Sequence, residues 1–111
     1  MPDISMISID DMSEAAEDAA ACLRALSNPS RLLLLCQLID GDKSVGEMER
    51  ALGLSQAYVS QQLARLRSEK LVRADRLGRS VRYSLCDARV TPVLEVLYEQ
   101  FCKPRQDRGA A

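Results

Sequence analysis

The sequence predicts a mainly α-helical domain with one β-hairpin, in the order α-α-α-α-β-β-α. Three observations lead there. Leu and Ala dominate over β-branched residues, which favours helix. Cap residues (Ser13, Asn28, Ser44, Ser55) precede stretches of helical apolar spacing. The period then drops to two over residues 71–85, as a hairpin requires. A chain of 111 residues with 47% apolar and 28% charged residues suits one globular domain.

Residues 1–12 show no helical period and read as a flexible arm. Ser13 is placed to cap a first helix to about Leu26, with Ala16, Ala19, Ala20, Leu23 and Leu26 on one stripe. Asn28 caps the second helix and Pro29 opens it, where the missing N–H costs nothing. That helix is expected to run to about Asp40 and stop at Gly41. Its residues Leu32–Ile39 are apolar almost all round, which predicts burial on most sides. Ser44 and Glu47 form a capping box for a short third helix to Leu52, ended by Gly53. Ser55 caps a fourth helix to about Glu69, with Val59, Leu63 and Leu66 on its inner face. Two capped helices across a tight glycine turn form a helix-turn-helix.

The alternating runs 71–76 and 80–85 flank Leu77-Gly78-Arg79, a hairpin that serves as a wing. Thr91-Pro92 restarts a helix to residue 102, and residues 103–111 form a polar tail. The ordered unit is therefore 13–102, a winged helix-turn-helix.

Composition removes several function classes. With no His, no His-based triad or His-ligated metal site exists, and no catalytic constellation replaces them, so an enzyme is not expected. Apolar runs such as Leu32–Cys36 fall far short of the roughly 20 residues that span a bilayer. The opening MPDISMISIDD has acids and no Lys or Arg, unlike a secretory signal, so a cytoplasmic location without membrane contact is expected.

Net charge is −1, but the charge is segregated. Residues 1–20 hold six acids and no base, whereas residues 55–89 hold eight bases against three acids. A basic face on a helix-turn-helix points to double-stranded DNA. The outer face of the fourth helix offers Ala57 and Gln61, flanked by Tyr58, Ser60 and Arg65, with Ser55 and Gln56 at its start. Gln can pair bidentately with adenine, Ser contacts bases or phosphates, and arginines at the edge meet phosphates. On the hairpin, Arg76, Arg79 and Arg82 recur every third residue, and Arg79 at the tip is placed for a minor groove. One such unit holds a specific site weakly, so a homodimer through the first and last helices is expected.

The segments Leu26-Ser27-Asn28-Pro29-Ser30-Arg31-Leu32, Ser44-Val45-Gly46-Glu47-Met48, Leu54-Ser55-Gln56, Val59-Ser60-Gln61-Gln62-Leu63, Gly78-Arg79 and Tyr83-Ser84-Leu85 resemble the ArsR/SmtB winged-helix repressors. The resemblance covers roughly residues 15–102. It implies a homodimeric transcriptional repressor that leaves its operator when an inducer acts. The metal sites common in that family lack their ligands here: residues 45–52 contain no Cys, and the last helix has no His.

Cys36 and Cys102 instead resemble the sensing pair of the dithiol subgroup that responds to persulfide and oxidants, typified by BigR, SqrR and HlyU. That resemblance implies an inducer among reactive sulfur species or oxidants, with no cofactor and no resident metal. An alternative is a thiolate metal or metalloid sensor built on Cys36, Cys102 and a thiol of the dimer mate. Cys22 and Cys86 read as structural or incidental, since four cysteines in a reducing compartment are no disulfide framework.

Overall fold

Ser8, Asn28, Ser44 and Ser55 each accept a hydrogen bond from the backbone N–H three residues on, and each opens a helix. The computed structural model describes residues 8–102. The elements are α1 (Ile9–Leu26), α2 (Pro29–Gln37), β1 (Lys43–Ser44), α3 (Val45–Leu52), α4 (Gln56–Ser68), β2 (Val72–Leu77), β3 (Ser80–Leu85) and α5 (Val90–Leu97). A π-helical turn, Tyr98–Cys102, continues α5. Mainly helical with an antiparallel wing, this is a winged helix-turn-helix.

Several boundaries differ from the sequence reading. The first helix is capped by Ser8, not Ser13, so residues 9–12 are helical rather than part of an arm. The reason lies in the spacing: Ile9, Met12, Ala16, Ala19, Leu23 and Leu26 continue one alternating three-and-four stripe through Ser13. Residues 1–7 of the expected arm and the tail 103–111 lie outside the described residues. The second helix stops at Gln37, where Leu38 N–H bonds the Leu35 carbonyl and the chain tightens into turns before Gly41. It is also open on one side, since Leu33 is half-exposed. Gly53 takes the left-handed conformation, φ 67°, that closes the turn between α3 and α4.

The sheet order is β1-β3-β2, antiparallel throughout. β1, which no sequence signal foretold, pairs Lys43 with Tyr83 and Ser44 with Arg82. The hairpin turn has two residues, Gly78 and Arg79, because Leu77 pairs directly with Ser80. Arg31 is buried and donates from Nε to the Ala25 carbonyl at 2.7 Å, so its charge closes the C-terminus of α1.

One core joins these elements. Leu34 and Leu35 of α2, Met48 of α3, Leu63 and Leu66 of α4 and Leu94 of α5 are fully buried. Truncating such a leucine to alanine costs about 2–5 kcal/mol, so α4 is rigidly seated. No helix among the described residues is long and apolar enough to cross a membrane.

Candidate DNA-binding face and dithiol site

Val59, Leu63 and Leu66 fix the rotation of α4, and that rotation decides what the helix shows to solvent. Ser55, Gln56, Ala57, Ser60, Gln61 and Arg65 are all exposed, while Tyr58 is half-buried at the margin. The expected polar face is therefore assembled on one helix. Its small residues let a nucleic-acid backbone approach closely, and its amides and hydroxyls supply donors and acceptors.

Pairing within the wing separates three arginines that the sequence grouped. Residues directly opposite in a ladder share a face, and faces alternate along a strand. Arg76 lies opposite Val81, on the face that also carries Ala74 and Tyr83. Arg82 lies opposite Asp75, on the other face. Arg79 occupies the turn beside Gly78, whose φ is 64°. Arg76 and Arg79 are exposed, and among the described residues no ion pair engages either.

Arg82, unlike Arg76 and Arg79, is held in ion pairs within the chain. Its guanidinium donates to Asp42 Oδ1 at 2.9 Å and to Glu47 Oε1 at 2.5 Å. Period-two alternation, not period three, governs a strand, so Arg76 and Arg82 fall on opposite faces of the hairpin. Elsewhere Arg65 pairs with Glu69, Arg73 with Asp75, and Arg89 with Asp87 and Asp18. Half of the eight bases between residues 55 and 89 are thus locally neutralised, which leaves the wing tip and the end of α4 as the positive surface.

The second site lies between α2 and α5. Cys36 is half-buried on α2, and Cys102 is exposed at the end of the π-helical turn. Burial pushes the Cys36 thiol above its ordinary pKa, and the neighbouring Cys102 sulfur adds to the shift. The two thiols therefore sit within electrostatic reach despite the 65 residues between them. Beside Cys36 is an open groove of about 550 Å³, lined also by Gln37, Ile39, Asp40, Glu95, Tyr98 and Glu99. Three carboxylates and no base line it. The sequence carried no signal for these lining residues, because only tertiary packing brings α2 to α5.

Cys22 is half-buried against the core, and the exposed Cys86 donates its S–H to the Lys70 carbonyl. Among the described residues, no three His, Cys, Asp or Glu side chains are grouped to hold a metal ion.

Residues 28–74 match the model of the family described as bacterial regulatory protein, arsR family. The biofilm growth-associated repressor of Xylella fastidiosa (strain Temecula1) is 39% identical over 93 residues, covering 84% of this chain and 82% of that one. The chain belongs to the arsR family. Its fold agrees with the solved transcriptional repressor BigR of the same organism, with a TM-score of 0.80 and 37% identity over 88% of this chain and all of BigR. Reduced HlyU from Vibrio cholerae N16961 is similar to the same degree, with a TM-score of 0.80 and 36% identity over 86% of this chain and all of HlyU. This arsR-family protein is a DNA-binding transcriptional regulator. Its relatives are regulators rather than enzymes, among them one named a repressor and one named an activator.

Proposed function

We propose that the protein is a homodimeric repressor that releases its operator when Cys36 and Cys102 become covalently joined. The proximity of these two thiols beside an open groove carries this reading. The similar HlyU from Vibrio cholerae N16961 was solved in its reduced form, which supports asking about redox state here.

Operator contacts are assigned to Ser55, Gln56, Ala57, Tyr58, Ser60 and Gln61 in the major groove. Arg65, Arg76 and Arg79 meet phosphates or the minor groove. Dimerisation is assigned to α1 and α5. Ile9 is 80% exposed, Leu23 59%, Val96 59% and Phe101 71%, and these apolar side chains lie on the first helix and on the end of the last. The three-and-four stripe of α1 is the spacing that a helix–helix seam uses.

The sensing chemistry balances with a persulfide or a peroxide as co-reactant. A thiolate of the pair takes the sulfane sulfur of R–S–SH and expels RS⁻. The second thiol then displaces HS⁻ and leaves a disulfide. When both cysteines are persulfidated, loss of H₂S closes a trisulfide. With a hydroperoxide, one thiol becomes a sulfenic acid as ROH leaves, and the second thiol expels water. Cys36 is less ionised than an ordinary cysteine thiol because its pKa is raised. Asp40, Glu95 and Glu99 around it disfavour anionic reagents relative to neutral ones.

A covalent tie between α2 and the end of α5 changes how the two recognition helices are spaced, and coupling of this kind is typically 1–3 kcal/mol. Operator-binding titrations of the reduced protein, with and without glutathione persulfide, test the reading. Affinity is expected to fall on treatment and return with dithiothreitol; an unchanged isotherm contradicts it.

A further inference from the structure

Arg82 stands where the wing meets the helix-turn-helix. Its Nε and Nη2 both reach Asp42 Oδ1, at 3.2 and 2.9 Å, and Nη2 also reaches the Asp42 carbonyl at 3.1 Å. Its Nη1 donates to Glu47 Oε1. That same carboxylate oxygen accepts from the Ser44 N–H at 3.0 Å, completing the capping box of α3. One guanidinium therefore links β3 of the wing, the turn before β1 and the first turn of α3.

The electrostatics agree with a permanent link. The hydrogen bond to Asp42 leads the causes that raise the Arg82 pKa. Hydrogen bonds from Ser44, joined by the Arg82 charge, hold the Glu47 carboxyl below its ordinary range. The charges stay paired across the whole neutral range. A guanidinium suits this place because its planar fork serves two carboxylates at once, which a lysine ammonium on a flexible stem does not.

We propose that Arg82 is a positioning residue for DNA binding: it braces the wing against α3 through Asp42 and Glu47, and it makes no phosphate contact. This rests on the reading above that Arg79 at the wing tip meets DNA. The backbone pairing of Lys43 with Tyr83 and of Ser44 with Arg82 holds the base of the wing against β1. The side-chain brace restrains its tilt about that short ladder, and the turn at Gly78-Arg79 lies beyond it.

Phosphate contact and bracing predict opposite signs for one substitution. If Arg82 met phosphate, Asp42→Ala would free the guanidinium and tighten DNA binding. If Arg82 is a brace, Asp42→Ala loosens the wing and weakens binding. The test uses the full-length protein and a duplex recovered from a randomised pool by binding selection, titrated at several salt concentrations. Arg82→Ala and Asp42→Ala are each expected to weaken binding by roughly three- to tenfold, the scale of a partly exposed charged network. The double variant should be no weaker than the weaker single. The salt slope should stay at the wild-type value in all three, whereas Arg79→Ala should lower it by about 0.9.

Arg82→Lys separates the roles again. A lysine serves a phosphate as a point charge and would restore full affinity there, but it should rescue a two-carboxylate brace only in part. Tighter binding by Asp42→Ala, or a lower salt slope for Arg82→Ala, overturns the proposal. So does unchanged affinity in both variants while Arg79→Ala still weakens binding. Unchanged affinity and slope in Arg79→Ala would instead overturn the underlying assignment of the wing to DNA. Asp42 lies outside the wing, so its variant answers the question even if Arg82→Ala folds poorly.

Discussion

The helix-turn-helix with its wing and the α2–α5 dithiol site are specified by different kinds of information. The first is written locally: Ser44 and Ser55 cap, Glu47 closes a capping box, and Gly53 and Gly78 turn the chain. The second exists only because Leu34, Leu35 and Leu94 bury α2 and α5 in one core. That packing brings Cys102 within electrostatic reach of Cys36 and forms an open groove beside Cys36, lined from α2, α5 and the turns that follow them. One region can be read in windows of a dozen residues, while the other appears only after folding. The two are separable in space, so substitutions should separate DNA binding from its control.

Cys36→Ser breaks the comparison most sharply. It should leave reduced-state operator affinity unchanged and abolish the response to persulfide and peroxide, a response of roughly 5- to 150-fold if the coupling is typical. Anisotropy titrations check both halves, and release in this variant would contradict the dithiol mechanism. Next in size is Leu23→Glu, which puts a charge into the exposed stripe of α1. The particle mass by sedimentation should drop from dimer to monomer, with operator affinity falling more than tenfold.

On the DNA side, Arg79→Ala should lower affinity severalfold and flatten the salt dependence without altering inducer response. Gln61→Ala should keep non-specific binding and relax discrimination at one base by about 1–3 kcal/mol. Unchanged isotherms for both would relocate the DNA face. The smallest expected effect lies within the dithiol site. Cys102 helps to raise the Cys36 pKa, so Cys102→Ser should lower it toward the ordinary value without abolishing the part due to burial. More Cys36 is then thiolate near pH 8, and its alkylation by iodoacetamide should quicken by a few fold. Iodoacetate, being anionic, should gain less at this carboxylate-lined groove.

How much was legible follows the same division. The caps at Asn28, Ser44 and Ser55, the buried face of α4 and the wing strands could all be read along the chain, because each leaves a cap, a periodicity or a turn signal within one short stretch. The N-terminus of α1 was misjudged, since Ser13 looks like a cap when its neighbours are taken without the stripe that begins at Ile9. Arg82 was grouped with Arg76 and Arg79 by three-residue spacing, whereas strand pairing puts it on the face opposite Arg76. Its partner Asp42 sits 40 residues away, beyond the reach of any local pattern. Cys36 and Cys102 were singled out by resemblance, but the carboxylate-lined groove beside Cys36 was not legible, because it belongs to packing rather than to spacing.

The most direct measurement is intact-mass analysis with peptide mapping of the reduced dimer after glutathione persulfide or peroxide, with operator affinity read on the same samples. A link between the Cys36 and Cys102 peptides of one chain should form in step with loss of DNA binding, carrying extra sulfur only after persulfide. Loss of DNA binding without that link, or the link without loss of binding, would contradict the dithiol account.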